Sequence, residues 1–175
     1  MFRLISYGID YMNKKAIISC IIIVLAIIAL FYINSINKAD AEIPLINYNL
    51  QQGNKNYNEI TDNINQQKYQ EASDKINNTM TYYENARYST QKALNKTIKE
   101  NDSILTEYFK HTTEEIDLKI QSLEEIQKGI GDVNSNNLQS SKEHFKKSNQ
   151  LIQNTSQYTI ERNNLEKQHL DKFIS

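Results

Sequence analysis

At 175 residues the chain has room for one soluble domain beside a membrane segment, not two. Four Gly and one Pro are too few for the many turns of an all-β fold. From Leu45 onward 16 basic and 18 acidic side chains nearly balance, without the basic stripe of a nucleic-acid binder, and the only Cys, Cys20, cannot form an intrachain disulfide.

Residues 1–15 read as a short cytoplasmic segment. Phe2, Ile5, Ile9 and Met12 recur at helical spacing, which fits either a short interfacial helix or the frayed start of the next element. Residues 16–33, AIISCIIIVLAIIALFYI, form an 18-residue run without a charge. At about 1.5 Å rise per residue the run spans roughly 27 Å, close to the thickness of a bilayer's hydrocarbon core. It has no polar face, unlike an amphipathic core helix, and Tyr32 sits where an interfacial aromatic is expected. The sequence therefore predicts a transmembrane signal-anchor helix contacting lipid through residues 16–33. Arg3, Lys14 and Lys15 precede the run, whereas Lys38 follows it with Asp40 and Glu42. That bias predicts a cytoplasmic N-terminus and an extracytoplasmic C-terminal domain.

Three processing patterns overlap this region. Ala39-Asp40-Ala41 has the form of a signal-peptidase site, but the apolar run exceeds a usual signal h-region, which favours an uncleaved anchor. Ile17-Ile18-Ser19-Cys20 is rejected as a lipobox because most of the apolar stretch follows the Cys. Lys15-Ala16-Ile17-Ile18 resembles the processing site of archaeal pilin-like proteins, a resemblance that would imply a processed filament subunit with a largely β head.

Residues 34–44 read as a linker and 45–175 as an all-α domain of three to four long helices, either an antiparallel bundle or a coiled-coil-like assembly completed by self-association. Ile46, Leu50, Gly53, Tyr57, Ile60 and Ile64 form the first seam, spaced 4, 3, 4, 3 and 4 residues apart. Gly53 in that seam is expected to cost about 1 kcal/mol relative to Ala. A second helix is predicted over 68–99, with Tyr69, Ala72, Ile76, Met80, Tyr83, Ala86, Ala93, Leu94 and Ile98 on one face. Asn101-Asp102-Ser103 offers successive N-cap residues and predicts a turn or kink. The third helix carries Leu105, Phe109, Ile116, Ile120, Leu123, Ile126 and Ile130. Thr112-x-x-Glu115 has capping-box form, predicting a break near His111, and Gly129 to Asp132 is expected to end the helix. The last helix, over about 135–173, runs through Leu138, Phe145, Ile152, Tyr158, Leu165 and Phe173. Ser141, Ser148, Thr155 and His169 stand in its seam where Leu would pack better. Short connections at Gln66-Gln67 and 132–134 predict antiparallel neighbours.

Residues 64–83 align without gaps on 133–152, pairing Tyr69 with Leu138, Ala72 with Ser141 and Ile76 with Phe145. Lys68-Tyr69-Gln70-Glu71-Ala72 resembles the start of the second helix of a tetratricopeptide repeat, and 137–141 is a poorer copy. The resemblance covers only these two stretches. The first helices lack that family's Trp/Leu/Gly/Tyr pattern, no Pro closes either unit, and the spacing is about twice the family's roughly 34 residues. A generic helical hairpin, used twice, accounts for the same residues.

Catalytic chemistry finds little support. Glu166-x-x-His169 has the spacing of a di-iron ligand pair, but Ser141 and Tyr108 stand where His144 and His111 would need a Glu. Glu114-Glu115 and Glu124-Glu125 read as solvated helix faces, and His111 and Glu115 as a surface pair. No phosphate-cradling glycine loop, G-x-S-x-G or H-E-x-x-H is present. No catalytic residue, cofactor or metal is therefore expected. Four N-glycosylation sequons, at Asn77, Asn95, Asn101 and Asn154, compare with roughly three expected by chance from 22 Asn and 23 Ser plus Thr. Among Tyr82, Tyr83 and Tyr88, Tyr83 is expected in the core, with a sticky patch as the functional alternative. The leading functional expectation is a membrane-anchored helical interaction or scaffold protein of the cell envelope, engaging a protein partner or a second copy. The ectodomain of a sensor or receptor subunit and a processed pilin-like subunit are the alternatives.

Overall fold

The computed structural model describes residues 39–173. The expected membrane helix at 16–33, the segment before it and most of the linker lie outside the described residues. Among the described residues no helix is long and apolar enough to cross a membrane.

A 3-10 turn, Ala39–Glu42, leads into α1 (Ile43–Asn65), α2 (Tyr69–Glu100), α3 (Ser103–Asn134) and α4 (Leu138–Gln168), followed by a 3-10 turn at Leu170–Lys172. Pro44 lies in the first turn of α1, where a missing N–H costs no helical hydrogen bond. The Asn101–Asp102 cluster is a turn. Asn101 takes the left-handed conformation at φ 54°, and the Asp102 carboxylate caps α3 by accepting from the Leu105 N–H at 3.1 Å.

Successive helices pack in pairs, α1 on α2, α2 on α3 and α3 on α4, whereas α1 and α4 form no fourth packed pair. One end of the bundle gathers the turn after α2 with both described termini. Lys92 reaches Glu42, Lys172 pairs with Asp102 at 2.7 Å, and the Phe173 ring lies 4.8 Å from that of Tyr108. The tight turns at 66–68 and 135–137 lie at the opposite end, where Tyr69 and Phe145 stack with centroids 6.4 Å apart. The 32 residues of α2 make the bundle about 48 Å long, at about 1.5 Å per residue.

The internal repeat is reproduced in backbone detail. The N–H groups of Gln66, Gln67 and Lys68 donate to the carbonyls of Asp62, Ile64 and Asn63. Those of Ser135, Asn136 and Asn137 donate to Gly131, Val133 and Asp132, each partner 69 positions on. Gln67 and Asn136 hold the same left-handed geometry, at φ 60° and 58°.

The seams emerge largely as the spacing predicts. Ile46, Leu50, Tyr57 and Ile60 of α1 are buried, as are Ala72, Ile76, Tyr83, Ala86 and Ala93 of α2 and all seven apolar seam residues of α3. Ile98 is an exception, exposed near the end of α2, while Thr97 beside it is buried.

Four expectations are corrected. α3 does not break near His111: Thr112 hydroxyl donates to the Tyr108 carbonyl one turn back, and Glu115 turns inward to Lys119, so neither caps a helix start. Gly129 and Gly131 do not terminate α3, which continues to Asn134 with no glycine at positive φ; the left-handed residue is Asn136. A Cβ on Gly129 would stand 2.6 Å from Phe145 Cε1, so this glycine admits an α4 ring rather than ending a helix. Gly53 likewise leaves room for Tyr83, whose Cδ1 would lie 2.7 Å from an added Cβ. Ser141, Ser148 and Thr155 are buried as the α4 face packed on α3. Their small side chains let the two helices approach, and a Leu at Ser148 would have no space beside Ser122, whose hydroxyl is 2.7 Å away.

Candidate functional site

Three polar groups interrupt the core. In the first, Tyr57 of α1 spans the bundle. Its hydroxyl lies 2.7 Å from the Ser122 hydroxyl on α3 and 3.2 Å from that of Ser148 on α4, and the two serines bond each other. Burial raises the Tyr57 pKa, partly opposed by the bonds to Ser122 and Ser148.

The second group is an ion cluster among α1, α2, α3 and α4. Glu115 and Lys119, one turn apart on α3, are 2 % and 7 % exposed and meet at 2.6 Å. Lys119 also donates to Asn54 Oδ1 at 2.8 Å, and the Tyr83 hydroxyl donates to the same oxygen at 3.0 Å. Arg162 of α4 brings its Nη2 to 3.5 Å from Glu115 Oε2, with its guanidinium over the Tyr108 ring. Arg162 Nε and Nη1 and Glu115 Oε2 have no hydrogen-bond partner among the described residues. Burial pulls the Lys119 pKa down against the opposing pull of Glu115 and pushes that of Tyr83 up. Two cations share one carboxylate, so removing Glu115 strands more charge than removing Lys119.

The third group centres on Glu125, 4 % exposed on α3. It accepts from Lys128 at 2.9 Å and Lys147 at 3.1 Å, and lies 2.6 Å from His144 Nδ1. The bond to His144, then that to Lys128, holds the Glu125 carboxyl down to about 2. The second ring nitrogen of His144 faces Asp132 Oδ2 at 3.7 Å.

Sequence reasoning missed this interior. Glu114 and Glu124 are exposed as read, but Glu115 and Glu125 are buried. The missed signal was available: Glu115 and Ser122 fall seven residues apart on the seam of α3, which a solvated face would not require. His111 pairs not with Glu115 but with Glu161 at 3.2 Å and Glu107 at 3.7 Å. His169 caps the end of α4, and Glu166 is exposed. Tyr83 is fully buried, Tyr82 half-buried and Tyr88 75 % exposed. The four sequon asparagines, Asn77, Asn95, Asn101 and Asn154, are all exposed.

Chemically, these buried carboxylates are tied to cationic side chains on α3 and α4, which ties those helices together. Among the described residues no cluster of three His, Cys, Asp or Glu is arranged to hold a metal ion. The open features are grooves. One of about 400 Å³ runs between α2 and α3 past Arg87, Tyr88, Thr113 and Asp117. Another of about 430 Å³ at the tight-turn end is lined by Tyr69, Val133, Leu138, Phe145, Lys142 and Lys146, among others. No known protein-family model matches the chain, and no curated protein or solved structure matches it.

Proposed function

We propose that the chain is a membrane-anchored helical interaction module of the cell envelope, acting through protein–protein contacts and without chemistry of its own. The observation that carries this reading is the uncharged run at 16–33, separated by five residues from the first described residue, Ala39. Ala39 opens the end of the bundle that also gathers Phe173 and the Asn101 turn. An anchor at 16–33 therefore attaches to one end of a rod about 48 Å long (32 residues of α2 at about 1.5 Å each), leaving the turns at 66–68 and 135–137 as its far tip. The charge bias of Arg3, Lys14 and Lys15 against Asp40 and Glu42 orients the rod away from the cytoplasm. Carboxylates held by Lys119, Arg162, Lys128 and Lys147 suit a rigid display element.

Membrane fractionation combined with protease digestion of a C-terminal tag on intact and lysed cells tests the proposal. The tag should sediment with membranes and be cleaved on intact cells. Recovery of the chain in the soluble fraction would overturn the anchor, and cleavage only after lysis would reverse the orientation.

A further inference from the structure

The two hairpins are equivalent in sequence register and in turn geometry, yet their exposed faces differ. In the first hairpin Tyr69, Ile76, Tyr83 and Thr90 form a heptad-spaced stripe on α2. Ile76, Tyr83 and Thr90 are at most 2 % exposed, with α3 packed against α2. The equivalent stripe on α4 is Leu138, Phe145, Ile152 and Thr159. Leu138 is 63 % exposed and the others are only partly covered.

The reason lies in α1. Where α3 presents Ile116, Ile120 and Leu123, the corresponding α1 positions are Asn47, Gln51 and Asn54, all exposed. Asn47 and Gln51 present polar amides, and Asn54 is held by Tyr83 and Lys119, so α1 offers no apolar stripe at these positions and does not close over α4 as α3 closes over α2. The bundle is left with an open seam, and the groove of about 430 Å³ at the tight-turn end lies along it.

The lining of that groove is electrostatically one-sided. Lys142 and Lys146 flank Leu138 and Phe145, neither lysine forms an ion pair among the described residues, and no carboxylate lines the groove. An unpaired cationic rim around an apolar stripe complements an anionic amphipathic helix.

Resting on the reading of the chain as a protein-interaction module, we infer that the α4 stripe from Leu138 to Thr159 is a docking face for an acidic amphipathic helix of a partner protein. The partner's apolar residues would lie on Leu138, Phe145 and Ile152 as α3 lies on α2, and its Asp or Glu side chains would meet Lys142 and Lys146.

The test uses the full-length chain in detergent micelles and two fluorescent three-heptad peptides. One carries a leucine stripe flanked by Glu and the other the same stripe flanked by Lys. Anisotropy titration should show the acidic peptide binding at least about tenfold more tightly, a preference that salt reduces. Lys142→Glu with Lys146→Glu should reverse the preference, and Leu138→Ser should weaken the acidic peptide several-fold. All three positions are exposed, so the thermal melt should not move. Equal affinity for the two peptides, no binding, or a preference indifferent to the charge reversal would overturn the inference. So would a concentration-dependent dimer by sedimentation that Leu138→Ser abolishes, which would assign the face to a second copy. Recovery of the chain in the soluble cell fraction would refute the anchor while leaving the peptide titration unchanged.

Discussion

Replacing Gly53 with Ala separates local helix propensity from packing. Propensity alone favours the substitution by about 1 kcal/mol, because Gly costs that much in a helix interior. Packing opposes it. The added Cβ would stand 2.7 Å from Tyr83 Cδ1 and 3.1 Å from Cζ, inside van der Waals contact. The Tyr83 ring is fully buried, and its hydroxyl is held by Asn54, so it has nowhere to turn without losing that bond. Overpacking a core position costs about 1–3 kcal/mol, and the loss of the Tyr83–Asn54 bond adds about 1 kcal/mol. The net expectation is a destabilisation of about 2 kcal/mol, a fall in Tm of roughly 6–8 °C for a helical domain of this size. Gly131→Ala is the matched control. Gly131 is an exposed helical glycine with nothing within 4 Å of its Cβ site, so it should gain the full propensity term, about 1 kcal/mol, and a Tm rise of roughly 3 °C. Circular dichroism melts of both variants at matched detergent concentration give the comparison. If Gly53→Ala raises Tm as Gly131→Ala does, the close approach of α1 and the Tyr83 ring is refuted. In a Tyr83→Leu background the Gly53→Ala penalty should largely vanish, because the clashing ring is gone.

Further predictions concern the polar core. Tyr57→Phe should cost about 1 kcal/mol in urea denaturation, since Ser122 and Ser148 keep their mutual bond. Ser148→Leu should cost about 2 kcal/mol or more, because it forces α4 away from α3. Glu115→Leu strands Lys119 and Arg162 together and should cost about 4 kcal/mol. Lys119→Met leaves Arg162 to Glu115 and should cost about 2 kcal/mol, and the reverse order by denaturation would refute a shared carboxylate. Glu125 has a depressed folded pKa, so its contribution is present above the ordinary value of 4.5 and is lost as pH falls toward about 2. The full shift corresponds to about 3 kcal/mol, and solvent around the exposed Lys128 and Lys147 should reduce the measured loss to about 1–2 kcal/mol. Glu125→Gln should remove that loss between pH 4.5 and pH 2, and a wild-type-like acid profile in the variant would refute the assignment.

Periodicity alone determined the helices, because a 3.5-residue recurrence of Ile, Leu, Ala and Tyr buries a stripe in whatever bundle forms. The alignment of residues 64–83 on 133–152 foreshadowed the matching turns around Gln67 and Asn136 for the same reason, since neighbouring side chains and local backbone bonds act over a few residues. Sequence also located the apolar run at 16–33, whose length and lack of charge are properties of the segment itself.

Tertiary structure decided what local rules read wrongly. Thr112 and Glu115 have the spacing of a cap, but Thr112 donates to the Tyr108 carbonyl and Glu115 finds Lys119 and Arg162, so α3 runs through unbroken. Gly53 and Gly129 look like weak points or stops, yet each is small because a ring from another helix, Tyr83 or Phe145, occupies its Cβ position. The open face of α4 follows from Asn47, Gln51 and Asn54 standing where the equivalent helix has Ile116, Ile120 and Leu123. The alignment already paired those positions, but that the difference leaves α4 uncovered depends on which helix faces which, a long-range property that no window along the chain contains.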